Sequence, residues 1–247
     1  MQVLVSAICP IRNEEENIQY IFNTLKPLSM PTEVLFVEGN SSDKTWEKAK
    51  ALDNKKNKFG VFFRAMKQKG QGKAEAVATG FTNAKGKYLI IVDADLSIDQ
   101  KNLEKVIFLF KKYGDTILAT GNRLKGLKKP KAFYWINYVG NYFFRYYYSV
   151  ILQTTILDIS CGTKAITKDT WMKIRILRKK IGKLDKWGDI DWLFYSKKVG
   201  ATITFATIDY KPRQFGQSKL QDVKTRWKFA LNMFTIGLRI LFLTFFK

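Results

Sequence analysis

Histidine does not occur in these 247 residues. Its absence removes imidazole acid–base chemistry, Ser-His-Asp triads and His-ligated zinc. Cysteine is nearly as scarce. Cys9 and Cys161 are the two present, and they form no CxxC pair. That excludes a disulfide framework and fits a reducing compartment. Both read as small buried residues rather than ligands. Acidic residues are outnumbered, with 21 Asp and Glu against 43 Lys and Arg, a formal net charge of +22. Such an excess calls for anionic partners: nucleic acid, acidic lipid headgroups or phosphorylated small molecules. Without histidine, a bound metal must be held by oxygen, which favours Mg²⁺ or Mn²⁺.

What is present is a globular chain. Hydrophobic residues make up 46% and aromatics 15%. The length suits one large α/β domain with modest additions. The opening run stops at Arg12 and Glu14-Glu15-Glu16, so it reads as a first strand entering a helix rather than a signal peptide. Strands are expected at 3–10, 33–38, 59–66 and 88–92. Helices are expected at 14–25, 42–52, 72–84 and 103–112. Regular alternation of this kind gives βαβ units and a mostly parallel sheet with helices on both faces.

Ligands of such sheets sit beyond the carboxyl ends of the strands. Those ends carry Asn13, then Glu38-Gly39-Asn40-Ser41, then Asp93-Ala94-Asp95. Two carboxylates at the end of the buried run 88–92 repel each other and are costly to bury, so a divalent cation is their simplest partner. Lys73 follows Gly70-Gln71-Gly72 at a helix start, where backbone N–H groups and an ammonium suit an anion.

The segments "ICPIRNEEENI" (8–18), "VEGNSSDKT" (37–45), "GKAEAVATGFTNAKGKYLIIVDADL" (72–96) and "TGNRL" (120–124) resemble the successive motifs of family 2 glycosyltransferases. The resemblance covers nearly the whole chain. Within that family, "DISCGTKAI" and Arg213-Gln214-Phe215-Gly216-Gln217-Ser218-Lys219 are most similar to the polyprenyl-phosphate branch typified by dolichyl-phosphate mannose synthase. The resemblance implies a GT-A nucleotide-diphospho-sugar transferase fold and metal-dependent, inverting transfer from a GDP- or UDP-hexose. It implies that Asp95 is a catalytic metal ligand and that Asp93 and neighbouring Ala94 bind metal or nucleotide. Pro10, Arg12, Glu14, Glu38, Asn40 and Lys73 would frame the nucleotide sugar. The family's usual Asp-Asp-Gly-Ser run is here Glu38-Gly39-Asn40-Ser41, which leaves the choice of base open. Arg123 is expected to contact phosphate, and Arg213, Ser218 and Lys219 to hold the acceptor or donor phosphate.

The resemblance implies that "WGDIDW" occupies the place where many family 2 enzymes carry a catalytic acid, which leaves two acceptors open. A sugar hydroxyl needs a carboxylate base, for which Asp191 is the candidate; a lipid phosphate is already ionised and needs none. Asp189 reads as a helix cap. The basic-then-aromatic stretch 127–152 suits a membrane–water interface, and the basic stretch 173–186 a solvated helix face. Residues 226–247 follow the 1–225 catalytic domain as an apolar helix. It could lie in the membrane interface with Arg239 snorkelling, span it briefly, or serve as an oligomer-forming core helix. The combined expectation is hexose transfer to a polyprenyl phosphate at the cytoplasmic membrane face. The second reading is transfer to a glycan hydroxyl during polysaccharide assembly. Nucleic acid is not an expected partner, because the basic residues are scattered and no RNP-type aromatic pair occurs.

Overall fold

The computed structural model describes residues 2–126, 135–209 and 223–245. Arg213, Ser218 and Lys219 lie outside the described residues, as do residues 127–134 of the aromatic stretch. The elements run β1 (Val5–Ile11), α1 (Glu15–Thr24), β2 (Thr32–Glu38), α2 (Thr45–Ala51), β3 (Phe62–Lys67), α3 (Lys73–Asn83), β4 (Tyr88–Ile91) and α4 (Gln100–Tyr113). They continue with β5 (Ile117–Asn122), α5 (Arg123–Gly126), α6 (Trp135–Ile151), β6 (Lys164–Thr167), α7 (Lys168–Ile181), α8 (Asp189–Lys198), β7 (Thr202–Thr207) and α9 (Val223–Phe245).

Among the described residues seven strands form one sheet in the order β3-β2-β1-β4-β6-β5-β7. All neighbours are parallel except β6, which runs against both β4 and β5. Side chains alternate across the strands, as the period of two requires. Val5, Ala7, Cys9 and Ile11 of β1 enter one core, with Ile18, Phe36 and Val106. Ile8 enters the other with Leu35, Ile91, Phe81 and Trp171. Both faces are therefore covered, and strand ends are the open place for a ligand.

Helix ends follow their local chemistry. The Asp99 carboxylate accepts from Asn102 N at the start of α4, and Thr167 Oγ1 accepts from Thr170 N at the start of α7. Each satisfies an otherwise unpaired helix amide.

α9 is fixed against α6 on one face. Tyr147 and Tyr148 donate their hydroxyls to the carbonyls of Phe234 and Met233. Phe234 stacks on Tyr147 with ring centroids 5.3 Å apart. Gly237 makes this approach possible, because a Cβ there would run into the Tyr147 ring. The Arg239 guanidinium donates to the carbonyls of Lys183 (3.2 Å) and Ile181 (3.4 Å), at and just beyond the end of α7. Helix carbonyls at that end lack internal partners, so a cation is favoured there. The outer side of α9 exposes Trp227, Leu231, Phe234, Leu238 and Phe242, and α6 exposes Tyr138, Tyr142, Phe143 and Tyr146. By length and mean hydropathy Lys224–Thr244 could cross a bilayer.

Replacing Gly237 with Leu should overpack the α6–α9 contact and cost about 1–3 kcal/mol. Limited trypsin digestion followed by mass spectrometry should then cut near Lys224, Arg226 and Lys228 sooner than in the parent protein, with β1–β4 still protected. Equal cleavage rates would mean that the helix pair is not held by this contact.

Candidate active site

Three loops converge at the carboxyl edge of the sheet. In register, Ile11 pairs with Glu38, Glu38 with Lys67, and Ile8 with Ile91. The loop after β1 is laced to the loop after β2. Asn13 N donates to Ser41 Oγ at 3.1 Å, Ser42 N to Asn13 Oδ1 at 2.9 Å, and Glu14 N to Thr45 Oγ1 at 2.8 Å. Glu38 is buried and accepts from Ser41 N, bracing its own turn. Asn13 and Asn40 both adopt positive φ, at 55° and 60°, a region asparagine tolerates. Pro10 and Glu14 are half-buried, Ala94 is buried, and Arg12 and Asn40 are exposed.

After β4 the chain makes a tight turn. Leu96 N donates to Asp93 O, Ser97 N donates to the Asp95 carboxylate at 3.0 Å, and Leu96 takes a φ of 44°. A bulky residue in that region is strained, of order 1–3 kcal/mol, and such strain gathers where a site is being shaped. Burial first, then the charges of Asp93, Glu14 and Asp95, push the Cys9 thiol pKa well up. The floor of the crevice is thus negative.

Lys73 answers that field. Its Nζ lies 2.6 Å from Asp93 Oδ1. Burial works against the charged ammonium, but the Asp93 and Asp189 carboxylates outweigh it and hold its pKa above the usual lysine range. Gly162 closes the other side, where a Cβ would strike Asp93 Oδ2 and come within 3.0 Å of Lys73 Nζ. The amide of Ala74 in the first turn of α3 is already taken by Lys186 O at 3.2 Å. The anion site expected there therefore rests on the lysine more than on the helix amides.

Three of the expected residues are engaged by neighbours in the structure. Arg123 is the first. Its Nε and Nη2 grip Asp158 at 2.7 and 2.9 Å in a buried two-pronged pair, and its backbone N donates to the same carboxylate. Asp191 is not an exposed base. It has no exposed surface, its Oδ1 accepts from Leu184 N and Asp185 N at 2.9 and 2.8 Å, and Arg178 sits 3.4 Å from Oδ2. Arg178 also holds Glu75 of α3 at 2.6 Å, so Asp191 joins α3, α7 and α8. Asp189 does not cap α8. The cap position is Gly188, with a φ of 89°, and Asp185 accepts from Ile190 N from outside. Asp189 is instead held by buried Lys164 at 2.9 Å, its own side chain 22% exposed.

Lys164 and Asp158 were not singled out from the sequence. Lys164 lies in a four-residue strand, and its ammonium also donates to Cys161 O. The signal available was a lysine inside the apolar run "KAIT", where an unpaired charge is costly.

Asp93 and Asp95 are the carboxylates that would face an ion here, and among the described residues no group of three or more His, Cys, Asp or Glu forms a protein cage. A two-carboxylate site fits an ion such as Mg²⁺, which keeps waters and takes further oxygens from a phosphate. The Thr163 hydroxyl, next to Gly162, is buried without a partner among the described residues.

A doubly covered sheet with one reversed strand, and carboxylates gathered where its parallel strands end, agrees with the GT-A nucleotide-sugar transferase fold that the sequence motifs imply. Residues 6–174 match the sequence model of Glycosyl transferase family 2, and the chain belongs to that family. It is similar to a dolichol-phosphate mannosyltransferase of Pyrococcus furiosus, 37% identical over 130 residues, which are 50% of this chain and 34% of that one. It is also similar to a dolichyl-phosphate beta-glucosyltransferase of Dictyostelium discoideum, 22% identical over 97% of this chain and 75% of the relative. Among solved structures, glucosyl-3-phosphoglycerate synthase of Mycobacterium tuberculosis, crystallised with Mn²⁺, UDP-glucose and phosphoglyceric acid, superposes with a TM-score of 0.67 at 13% identity. That match covers 97% of this chain and 80% of the synthase, and it establishes the shared fold.

Burial raises the Asp191 pKa from 3.8 to about 6, against the pull of Arg178. The folded state then binds more protons than the unfolded one between these values, so stability from this group falls as pH rises through that window. The slope approaches about 1.4 kcal/mol per pH unit. Thermal melts from pH 4 to 7 should show this decline in the parent protein relative to Asp191→Asn. Parallel curves would mean that Asp191 is ionised throughout.

Proposed function

We propose that this chain transfers a hexose from a GDP- or UDP-sugar to a polyprenyl phosphate at the cytoplasmic face of a membrane. The observation that carries the acceptor choice is the enclosure of Asp191. A hydroxyl acceptor must lose its proton during attack, and a positioned base supplies typically 10²–10⁴-fold of the rate. Asp191 has every oxygen engaged inside the α3–α7–α8 junction, and Asp189 is held by Lys164. An acceptor that arrives ionised needs neither. The similarity to two dolichyl-phosphate sugar transferases points the same way.

Asp95 and Asp93 are the residues to hold Mg²⁺ or Mn²⁺. The bound ion would serve as a Lewis acid for the departing diphosphate. Arg12, Glu14, Glu38 and Asn40 frame the nucleoside side of the crevice, where the β1 and β2 loops are tied together. Pro10 sets the last turn of β1 beneath them. Lys73 faces the diphosphate. Arg213, Ser218 and Lys219 are assigned to the acceptor phosphate, on the strength of their guanidinium, hydroxyl and ammonium chemistry. Arg123 acts through Asp158, positioning the loop that carries Gly162. The exposed aromatic side chains of α6 and α9 supply the membrane contact, with residues 226–247 lying against the bilayer as part of the folded unit.

The test is transfer from labelled GDP- and UDP-hexoses to a short polyprenyl phosphate with Mg²⁺ or Mn²⁺, with product extracted into organic solvent. Label should enter the organic phase, vanish with EDTA, and vanish in Asp95→Ala. Folded Asp191→Asn should keep turnover within about tenfold, since a lost general base would cost 10²-fold or more. A larger loss in a folded Asp191→Asn protein, or label passing only to a glycan hydroxyl, would overturn the phosphate acceptor.

A further inference from the structure

The crevice holds an alternating line of charge. Lys164 grips Asp189 at 2.9 Å, Asp189 acts on Lys73, and Lys73 grips Asp93 at 2.6 Å. These four groups come from β6, α8, α3 and the turn after β4, so the line is made only by folding. Within it Lys73 occupies an unusual place. It is a monovalent cation seated on one of the two carboxylates suited to a divalent one. Gly162 leaves room for both partners, since a Cβ there would strike the Asp93 carboxylate and crowd the Lys73 ammonium. A carboxylate oxygen at 2.6 Å from an ammonium is already neutralised and hydrogen-bonded. A metal ion approaching Asp93 must displace that ammonium or accept a weaker site.

We propose that Lys73 is a built-in stand-in for the metal ion. It neutralises Asp93 while the crevice holds no divalent cation. When the cation arrives with the donor, Lys73 is released, still protonated, and its charge passes to the nucleotide diphosphate. Metal and diphosphate therefore bind cooperatively. The ion frees the lysine, and the diphosphate gives the lysine a new partner, so each lowers the cost of the other. Free metal alone binds weakly, because it must expel a lysine that has nowhere better to go. The inference rests on the reading of Asp93 and Asp95 as metal-holding residues, but it does not depend on the sugar or on the acceptor.

The test uses the full chain and needs no transfer reaction. Mn²⁺ binding is measured by the loss of free-ion electron paramagnetic resonance signal, first alone and then with UDP or GDP. Lys73→Gln should bind Mn²⁺ alone about fivefold or more tighter than the parent protein. In that variant UDP or GDP should strengthen Mn²⁺ binding by a smaller factor than in the parent, after the Mn²⁺–nucleotide complex formed without protein is subtracted. Lys73→Arg keeps the cation and the fold-stabilising pair, and should bind Mn²⁺ alone no tighter than the parent. The proposal is overturned if Lys73→Gln binds Mn²⁺ no tighter than the parent, if Lys73→Arg binds it tighter, or if neither parent nor variants bind it with nucleotide present. Failure of the transfer assay with these binding results intact would remove the proposed acceptor and leave the lysine exchange standing.

Discussion

The Arg123–Asp158 pair is the joint on which the second half of the molecule depends. Asp158 has no exposed surface, and its carboxylate takes hydrogen bonds from Arg123 N, Nε and Nη2, from Asn141 Nδ2 of α6 and from Ser160 N. Burial alone would raise its pKa, but the Arg123 guanidinium outweighs that and keeps it below the usual carboxylate range. Removing one partner of such a pair costs about 3–5 kcal/mol, because the other is left charged and buried. One carboxylate thereby joins the end of β5, the aromatic helix α6 and the loop that brings Gly162 against Asp93. The helix that exposes aromatics and the wall of the crevice share a single anchor.

The same logic governs the other acids. A chain with this much positive charge could have scattered its few carboxylates on the surface as ion pairs worth little. Several of them are buried instead, each with a defined set of donors. Glu33 accepts from Ser6, Lys85 N and Arg64 at the amino edge of the sheet. Asp191 accepts from two amides and faces Arg178. Asp95 is buried too and accepts from Ser97 N, while Asp93 is half-buried against Lys73; both sit at the strained turn after β4 rather than inside a helix junction.

The first half of the fold was legible because local pattern and topology agree there. Strands read at 33–38 and 88–92 correspond to β2 and β4, and the clusters at their ends meet as the parallel-sheet rule requires. Boundaries moved by one to three residues. The second half was less legible for a physical reason. β6 is four residues long and runs backwards, and neither its direction nor its place between β4 and β5 has a local signal. The roles of Arg123, Asp189 and Asp191 depend on partners 35, 25 and 13 residues away. Spacing within "WGDIDW" marks both aspartates as helix-start acids. Only packing decides which one is sealed in and which one borders the crevice.

Gly237 acts as a keyway. The missing Cβ admits the Tyr147 ring at one angular setting of α9, and a rotation of one residue, about 100°, would bring a side chain into that space. Arg239, two residues on, meets the carbonyls of Ile181 and Lys183 at the same setting. The helix is indexed like a shaft on its gear. The stripe Trp227, Leu231, Phe234, Leu238 and Phe242 therefore points in a direction chosen by the folded domain, with no freedom left to a linker. Any surface that receives this stripe also receives the crevice at a set height and tilt.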